Sequence, residues 1–174
     1  MDFYEKIDSS NELRLATEAD VNAVWRWRND PNIRKWMFNQ NEIELEEHKE
    51  WFCNQLNNPD KIFLIYIHNG IDCGFVNFHK LNNADVWEWG FYLAPGSPKG
   101  IGICLGKCAL QYAFEYTNVE KVFGEVLEYN ARSIKLHKSL GFSNEGCLRE
   151  HFLLNDELHN VLLFGLLKKE YIRN

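Results

Sequence analysis

The chain has 174 residues, of which 45% are apolar and 25% charged, with a formal charge of −6. That length and apolar content exclude disorder and fit one domain spanning 1–174 with a sizeable core. No stripe of Lys or Arg offsets the negative balance, which argues against a nucleic-acid partner.

Taken in chain order, residues 12–16 alternate as a first strand, and Thr17 with Asp20 resembles a capping box opening a helix that ends before Asp30-Pro31. Residues 33–37 allow a short helical turn. Residues 42–56 form the next helix, with Leu45, His48, Phe52 and Leu56 on its apolar side, stopped by Asn57-Asn58-Pro59-Asp60. Strands follow at 62–67 and 71–78 around His68-Asn69-Gly70, and a third at 86–93, VWEWGFYL. In that third strand Glu88, Gly90 and Tyr92 share one face with Val86, while Trp87, Trp89, Phe91 and Leu93 share the other, so it is expected at the centre. Leu105, Cys108, Ala109, Tyr112, Ala113 and Tyr116 repeat at three and four and predict an amphipathic helix. A valine-rich strand at 121–127, a helix at 130–140 ending at Gly141, and closing strands from Phe142 and over 158–166 complete the chain. This is an α/β order with a mixed, mostly antiparallel sheet flanked by helices, not a doubly wound run of βα units.

No apolar run is long enough for a membrane span, and the acidic, polar N-terminus lacks a signal-peptide pattern, so no membrane is expected as a partner. Five scattered cysteines (Cys53, Cys73, Cys104, Cys108 and Cys147) point to free thiols in a reducing compartment, hence the cytoplasm. Their spacing provides no metal-ligand set. Trp25, Trp27, Trp36 and Trp51 cluster early, as dense helix packing or as a pocket lining.

The stretch SPKGIGICLG at 97–106 places two glycines at a helix start. Glycine there lets backbone N–H groups approach a ligand, and the helix end adds unpaired donors and a positive dipole end, which together suit a phosphate. A turn followed by a glycine-interrupted helix would look the same. The letters match neither a Walker loop nor a complete dinucleotide fingerprint.

Ser97-Pro98-Lys99-Gly100-Ile101-Gly102 resembles the coenzyme A loop of the GNAT acetyltransferase superfamily, with Ser97 in place of a long polar residue. The stretch 130–142, NARSIKLHKSLGF, is similar to that superfamily's second signature, with His137 where tyrosine is usual. The resemblance covers essentially the whole chain. It implies a GNAT-like acyl-CoA N-acyltransferase domain, acetyl-CoA as cosubstrate, and attack by an amine on the thioester. A narrower likeness, in WRNDPNIRKWM at 27–37, His48 and EVLEYN at 125–130, is to the sugar-nucleotide N-acetyltransferases of pseudaminic acid synthesis. It implies a UDP-4-amino-4,6-dideoxy-N-acetyl-β-L-altrosamine acceptor, whose product feeds flagellin glycosylation.

On that resemblance, Glu88 is the candidate for removing the amine proton, with a structural carboxylate as the alternative. The backbone of Gly90, Phe91 and Leu93 would hold the pantetheine arm, and Lys99, Gly100, Ile101, Gly102 and Ile103 the pyrophosphate. His137 would protonate the departing sulfur, or simply fill a tyrosine's space, with Tyr129 as the other donor. Asn130 would bond the cofactor or shape the strand-to-helix turn. Arg28, Arg34 and His48 would contact the sugar nucleotide, because a diphosphate suits an arginine fork. Surface ion pairs or core packing are their bland alternatives, and Tyr92 stands between substrate contact and core. Arg149-Glu150-His151 stay unassigned. The alternative acceptor is the N-terminus of a ribosomal-type protein, and the alternative class is a non-catalytic acyl-CoA-binding module. A homodimer through the closing strands is a further expectation from the family.

Overall fold

The computed structural model describes residues 10–171 and the main chain of 4–8. Eight strands form one sheet: β1 (Tyr4–Asp8), β2 (Asn11–Leu15), β3 (Lys61–His68), β4 (Ile71–Lys80), β5 (Val86–Leu93), β6 (Lys121–Leu127), β7 (Ser143–Leu154) and β8 (Glu157–Leu167). Their order across the sheet is β1-β2-β3-β4-β5-β6-β8-β7. Every neighbouring pair is antiparallel except β5 and β6. The mixed, mostly antiparallel α/β sheet expected from the sequence is the one observed.

Alternation sorts the strands' side chains into two cores. Leu64, Tyr66, Val76, Phe78, Trp87 and Trp89 pack on one face against Leu105, Ala109 and Ala113 of α4 (Gly102–Tyr116). Phe63, Ile65, Ile67 and Phe75 pack on the other against Val21 and Val24 of α1 (Val21–Asn29) and Phe52 of α3 (Leu45–Leu56). Each of the fully buried large side chains contributes roughly 1.5–3 kcal/mol through water removal. Because β3 is buried on both faces, its sequence reads as a continuous apolar run.

The corner between β2 and α1 is pinned by charge. Arg14 donates to both oxygens of Asp20 at 2.8 Å and to Asp72 at 2.6 Å. The Asp20 carboxylate also accepts the Thr17 N–H at 2.8 Å, as the capping-box pattern predicts. Burial works to raise the Asp20 carboxyl, but Arg14 and Thr17 outweigh it and hold it below the usual range.

Several boundaries differ from the sequence expectation. β1 was not predicted, because a polar edge strand is held by its pairing with β2 rather than by an apolar pattern. The short helix α2 is Pro31–Arg34 rather than 33–37: the Asp30 carboxylate caps the Asn32 N–H at 2.8 Å and Pro31 takes the first helical position. α3 starts at Leu45, not 42, and α5 spans Ala131–Ser139. β7 carries irregularities between Asn144 and Gly146 and between Leu148 and Phe152, so Arg149-Glu150-His151 form a bulge, with Glu150 at φ 52°. A last turn of helix, α6 (Lys168–Tyr171), follows β8. No described helix is long and apolar enough to cross a membrane.

The feature that positions a site is the junction of β5 and β6. The two strands pair only at Val86↔Lys121, Trp87↔Val122 and Glu88↔Phe123. Beyond Glu88 they separate, while β4 still pairs with β5 as far as Leu93 and β8 with β6 as far as Leu127. A wedge therefore opens inside the sheet and is held from both outer edges.

Candidate active site

The wedge leads into a cavity of about 770 Å³. Its walls are Glu88, Gly90 and Tyr92 of β5, Glu125 and Leu127 of β6, Ile33, Trp36, Met37 and Phe38 at and after α2, Gly100, Gly102 and Ile103 at the start of α4, and Asn130, Ser133 and His137 near α5. Most of the predicted cofactor and catalytic residues thus converge on one space, although they come from distant parts of the chain.

The α4 end has the features of an anion cradle. Gly100 has φ 92°, a conformation that side-chain-bearing residues rarely adopt, and a Cβ there would meet nothing within 4 Å. At Gly102 a Cβ would touch only Leu93 Cδ1 at 3.8 Å, so the space before it is open. No side chain caps α4, whose N-cap position is Ile101, and its first-turn N–H groups lack intrahelical partners. Ile101 itself is buried and anchors the turn, while Lys99 is exposed and lies outside the cavity wall. The Ser97 hydroxyl donates to Ala94 O at 2.7 Å, so it closes the preceding turn. Phe91 and Leu93 turn their side chains toward the α4 core, leaving their main chain along the open wedge.

Glu88 and Glu125 share the face of the sheet opposite α4. Glu88 is opposite Phe123 across the parallel pair, and Glu125 is two residues farther along β6, where the strands part. Burial pushes the Glu88 carboxyl above the usual range, Glu125 adds to the rise, and Lys61 opposes it. A carboxyl so raised is a better proton acceptor than an exposed one. Sequence reasoning assigned Glu125 no role; only the parallel register brings it beside Glu88.

His137 is 2% exposed, and both of its ring nitrogens are engaged. Trp89 Nε1–H donates to Nε2 at 3.1 Å, and Nδ1 lies 2.8 Å from Ser133 O, to which it donates as the neutral tautomer. The ring is enclosed by Phe91, Phe142 and Phe164, and burial lowers its pKa, against the helical carbonyl of Ser133. The expected acid therefore has no free N–H to offer. Trp89 and His137 also fill the space beside Gly124, where a Cβ would lie 2.9 Å from each ring nitrogen. The pair is the plug behind the wedge.

Tyr129 does not line the cavity; its hydroxyl accepts from Gln40 Nε2 at 3.2 Å, and its ring contacts Trp36 and His159. It ties the 35–40 turn to the sheet instead of facing a leaving group. Asn130 is the N-cap of α5, its side-chain oxygen accepting the Ser133 N–H at 3.1 Å. The early tryptophans divide: Trp36 lines the cavity, Trp25 donates to Ile43 O at 2.7 Å, Trp27 packs on the α1–α3 core, and the exposed Trp51 makes tilted ring contacts with His48 and Phe63.

Arg28, Arg34 and a neutral His48 form a group behind Tyr92, outside the cavity wall. Arg28 Nη2 donates to Asn39 O at 2.6 Å, whereas its Nη1 is buried without a hydrogen-bond partner among the described residues. His48 Nε2 is likewise buried and unpartnered. Arg34 reaches exposed Glu42 at 3.5 Å, a weak surface pair. Burial lowers the Arg28 pKa; the Tyr92 hydroxyl opposes that and Arg34 adds to it. Burial also lowers His48, helped by the Arg28 charge. Burial pushes the Tyr92 phenol up, with Arg28 drawing it back. Tyr92 thus links this group to the cavity, while its ring packs on Phe75.

Comparison with known proteins agrees with this geometry. The model of the acetyltransferase (GNAT) domain matches residues 12–143. The chain is 32% identical over 149 residues to the uncharacterized protein MJ1062 of Methanocaldococcus jannaschii, covering 83% of this chain but only 30% of that protein. It is 24% identical over 169 residues to the spermidine N(1)-acetyltransferase of Vibrio cholerae, covering 95% of this chain and 98% of that one. A crystal structure of the Vibrio cholerae spermidine N-acetyltransferase with CoA and spermine has a TM-score of 0.87 at 23% identity, covering 95% of this chain and 99% of that chain. The putative ribosomal N-acetyltransferase YdaF of Bacillus subtilis is 25% identical over 176 residues, covering 95% of this chain and 96% of that protein. The parted strands and the glycine cradle lie on a chain most of which fits one family model: this protein belongs to the GNAT acetyltransferase family.

Proposed function

We propose that the protein acetylates the 4-amino group of a UDP-linked 4-amino-4,6-dideoxy-N-acetylhexosamine, using acetyl-CoA. The observation that carries the acceptor is the pair of buried, unpartnered polar atoms, Arg28 Nη1 and His48 Nε2, behind the cavity wall at Tyr92. A guanidinium nitrogen buried without a partner is costly unless a ligand completes it, and a phosphate oxygen suits the Nη1 left beside the Nη2 that is bonded to Asn39 O. The amine end of the same acceptor would meet Glu88 and Glu125.

The open, uncapped start of α4 fits the pyrophosphate of a coenzyme A thioester, and the wedge between β5 and β6 fits its extended arm. When bound, acetyl-CoA supplies an activated acetyl carbonyl and a thiolate leaving group. Glu88 accepts a proton from the acceptor's ammonium, freeing the nitrogen lone pair for attack. Main-chain groups of Gly90–Leu93 on the edge that faces away from β4 orient the carbonyl. His137 supports the wedge as a neutral ring.

A second acceptor, the N-terminal amine of a protein, is favoured by the name of YdaF, and a polyamine by the name of the Vibrio cholerae relative. Thiol release from acetyl-CoA, measured against UDP-amino sugars, N-terminal peptides and spermidine, separates the readings. Turnover on the 4-amino sugar nucleotide is expected, with Arg28→Met raising its KM about tenfold or more while sparing acetyl-CoA. Preference for peptides or spermidine, or an unchanged KM in Arg28→Met, overturns the proposal.

A further inference from the structure

The β3–β4–β5 register aligns three titratable side chains. Lys61 of β3 is opposite His79 of β4, and His79 is opposite Glu88 of β5. Register partners share a face, and Lys61 shares its own with Phe63 and Ile65, on the side of the sheet opposite α4. Strands are about 4.8 Å apart, so a lysine side chain has the length to cross His79 and approach Glu88. All three residues are half-buried, and among the described residues Lys61 makes no close ion pair, with Glu88 or with another carboxylate, so it acts on Glu88 across a gap.

The groups facing Glu88 from each neighbouring element are few. β3 presents Lys61, β4 presents His79 with Asp60 acting on it, and β6 presents Glu125 beyond Phe123. The cavity residues from 32 to 38 are neutral, and α5 adds Arg132 and Lys135 to the cavity wall. Burial and Glu125 both favour a protonated Glu88, and a protonated carboxyl cannot accept the amine's proton; Lys61 acts against both. Burial weakens the Lys61 charge, and Glu88 supports it in return.

We infer that Lys61 is a positioning residue for acetyl transfer: from the end of β3 it holds Glu88 as the carboxylate that receives the acceptor's proton. In that step the proton passes from the ammonium to Glu88, the carboxylate becomes a carboxylic acid, and the nitrogen keeps the electron pair. The inference rests on Glu88 as the base, so the test treats the two separately.

Glu88 is titrated by carbon NMR in protein labelled at the glutamate carboxyls, with Glu88→Gln (E88Q) assigning the signal. Lys61→Met should titrate at higher pH than the wild type, and Lys61→Arg should restore the wild-type midpoint. Turnover with acetyl-CoA and the UDP-4-amino sugar then gives the functional arm. Lys61→Met should lose more kcat/KM on the acid side of the pH profile than on its alkaline side, moving the acid limb to higher pH, and E88Q should be impaired throughout. A thermal melt checks that each variant folds, with Lys61→Gln as the second variant. An unshifted carboxyl titration with an inactive E88Q overturns the inference on Lys61 alone. A fully active E88Q overturns Glu88 as base and leaves Lys61 no part in transfer.

Discussion

Replacing His137 by Phe separates a proton donor from a wedge. The substitution keeps a ring among Phe91, Phe142 and Phe164 but removes two hydrogen bonds, from Trp89 Nε1 at 3.1 Å and to Ser133 O at 2.8 Å. Ser133 O remains an acceptor within α5, so its loss is small. The buried Trp89 N–H loses its partner outright, which costs about 1–3 kcal/mol, partly offset by the apolar ring. At this chain length each kcal/mol lowers Tm by roughly 2–4 °C, so a drop of about 2–12 °C is expected. Because neither ring nitrogen is free, kcat should fall only about tenfold or less, against roughly a hundredfold or more for loss of a general acid. Calorimetry and the pH dependence of kcat measure both quantities. An unchanged Tm with a hundredfold loss of kcat and a vanished alkaline limb would refute the reasoning and restore His137 as the acid.

Gly102→Ala should fold as well as the wild type or better by up to about 1 kcal/mol, since its Cβ meets only Leu93 and alanine favours helix, yet raise the KM for acetyl-CoA several-fold; unchanged affinity would remove the cradle. Gly124→Ala places a methyl 2.9 Å from two ring nitrogens packed in the core, and chemical denaturation should show a loss of roughly 1–3 kcal/mol. A loss below about 0.5 kcal/mol would mean that the Trp89–His137 plug yields freely. His48 and His137 are held neutral by burial, so their folded pKa values lie below the unfolded ones. Their neutral burial is fully compatible with folding above about pH 6.5 and costs stability as pH falls below it, where the unfolded chain binds more protons. Urea midpoints should therefore decline below that pH, less steeply in His137→Phe; equal slopes would contradict the assignment of a neutral His137.

Much of the fold is legible in the letters where one element's own pattern decides it. The 3–4 repeat from Leu105 to Tyr116 predicts α4, and the alternation of VWEWGFYL sends Trp87 and Trp89 to one core and Glu88 and Tyr92 to the other face, as observed. The glycine pair is readable too, as a turn or a cradle; the φ of 92° at Gly100 and the open space before Gly102 come from the structure. β1 is not, since a polar edge strand carries no apolar signature. The exchange of Tyr for His at 137 suggests an acid by analogy, but its partners, Trp89 from β5 and Ser133 one turn away, are settled by packing.

The sequence by itself determined the order of the main elements between β2 and β8, the central place of VWEWGFYL, the glycines at the start of α4 and, through its motifs, the family. These are properties of local periodicity and missing side chains, which need no partner. Only the tertiary structure decided that β5 and β6 part beyond Glu88, that Glu125 and Lys61 stand with Glu88 on one face, and that His137 is a hydrogen-bonded plug. Strand pairing and register are long-range choices, and they set which charges meet; a carboxylate's basicity and a histidine's protonation follow from those neighbours rather than from the residues beside them in the chain.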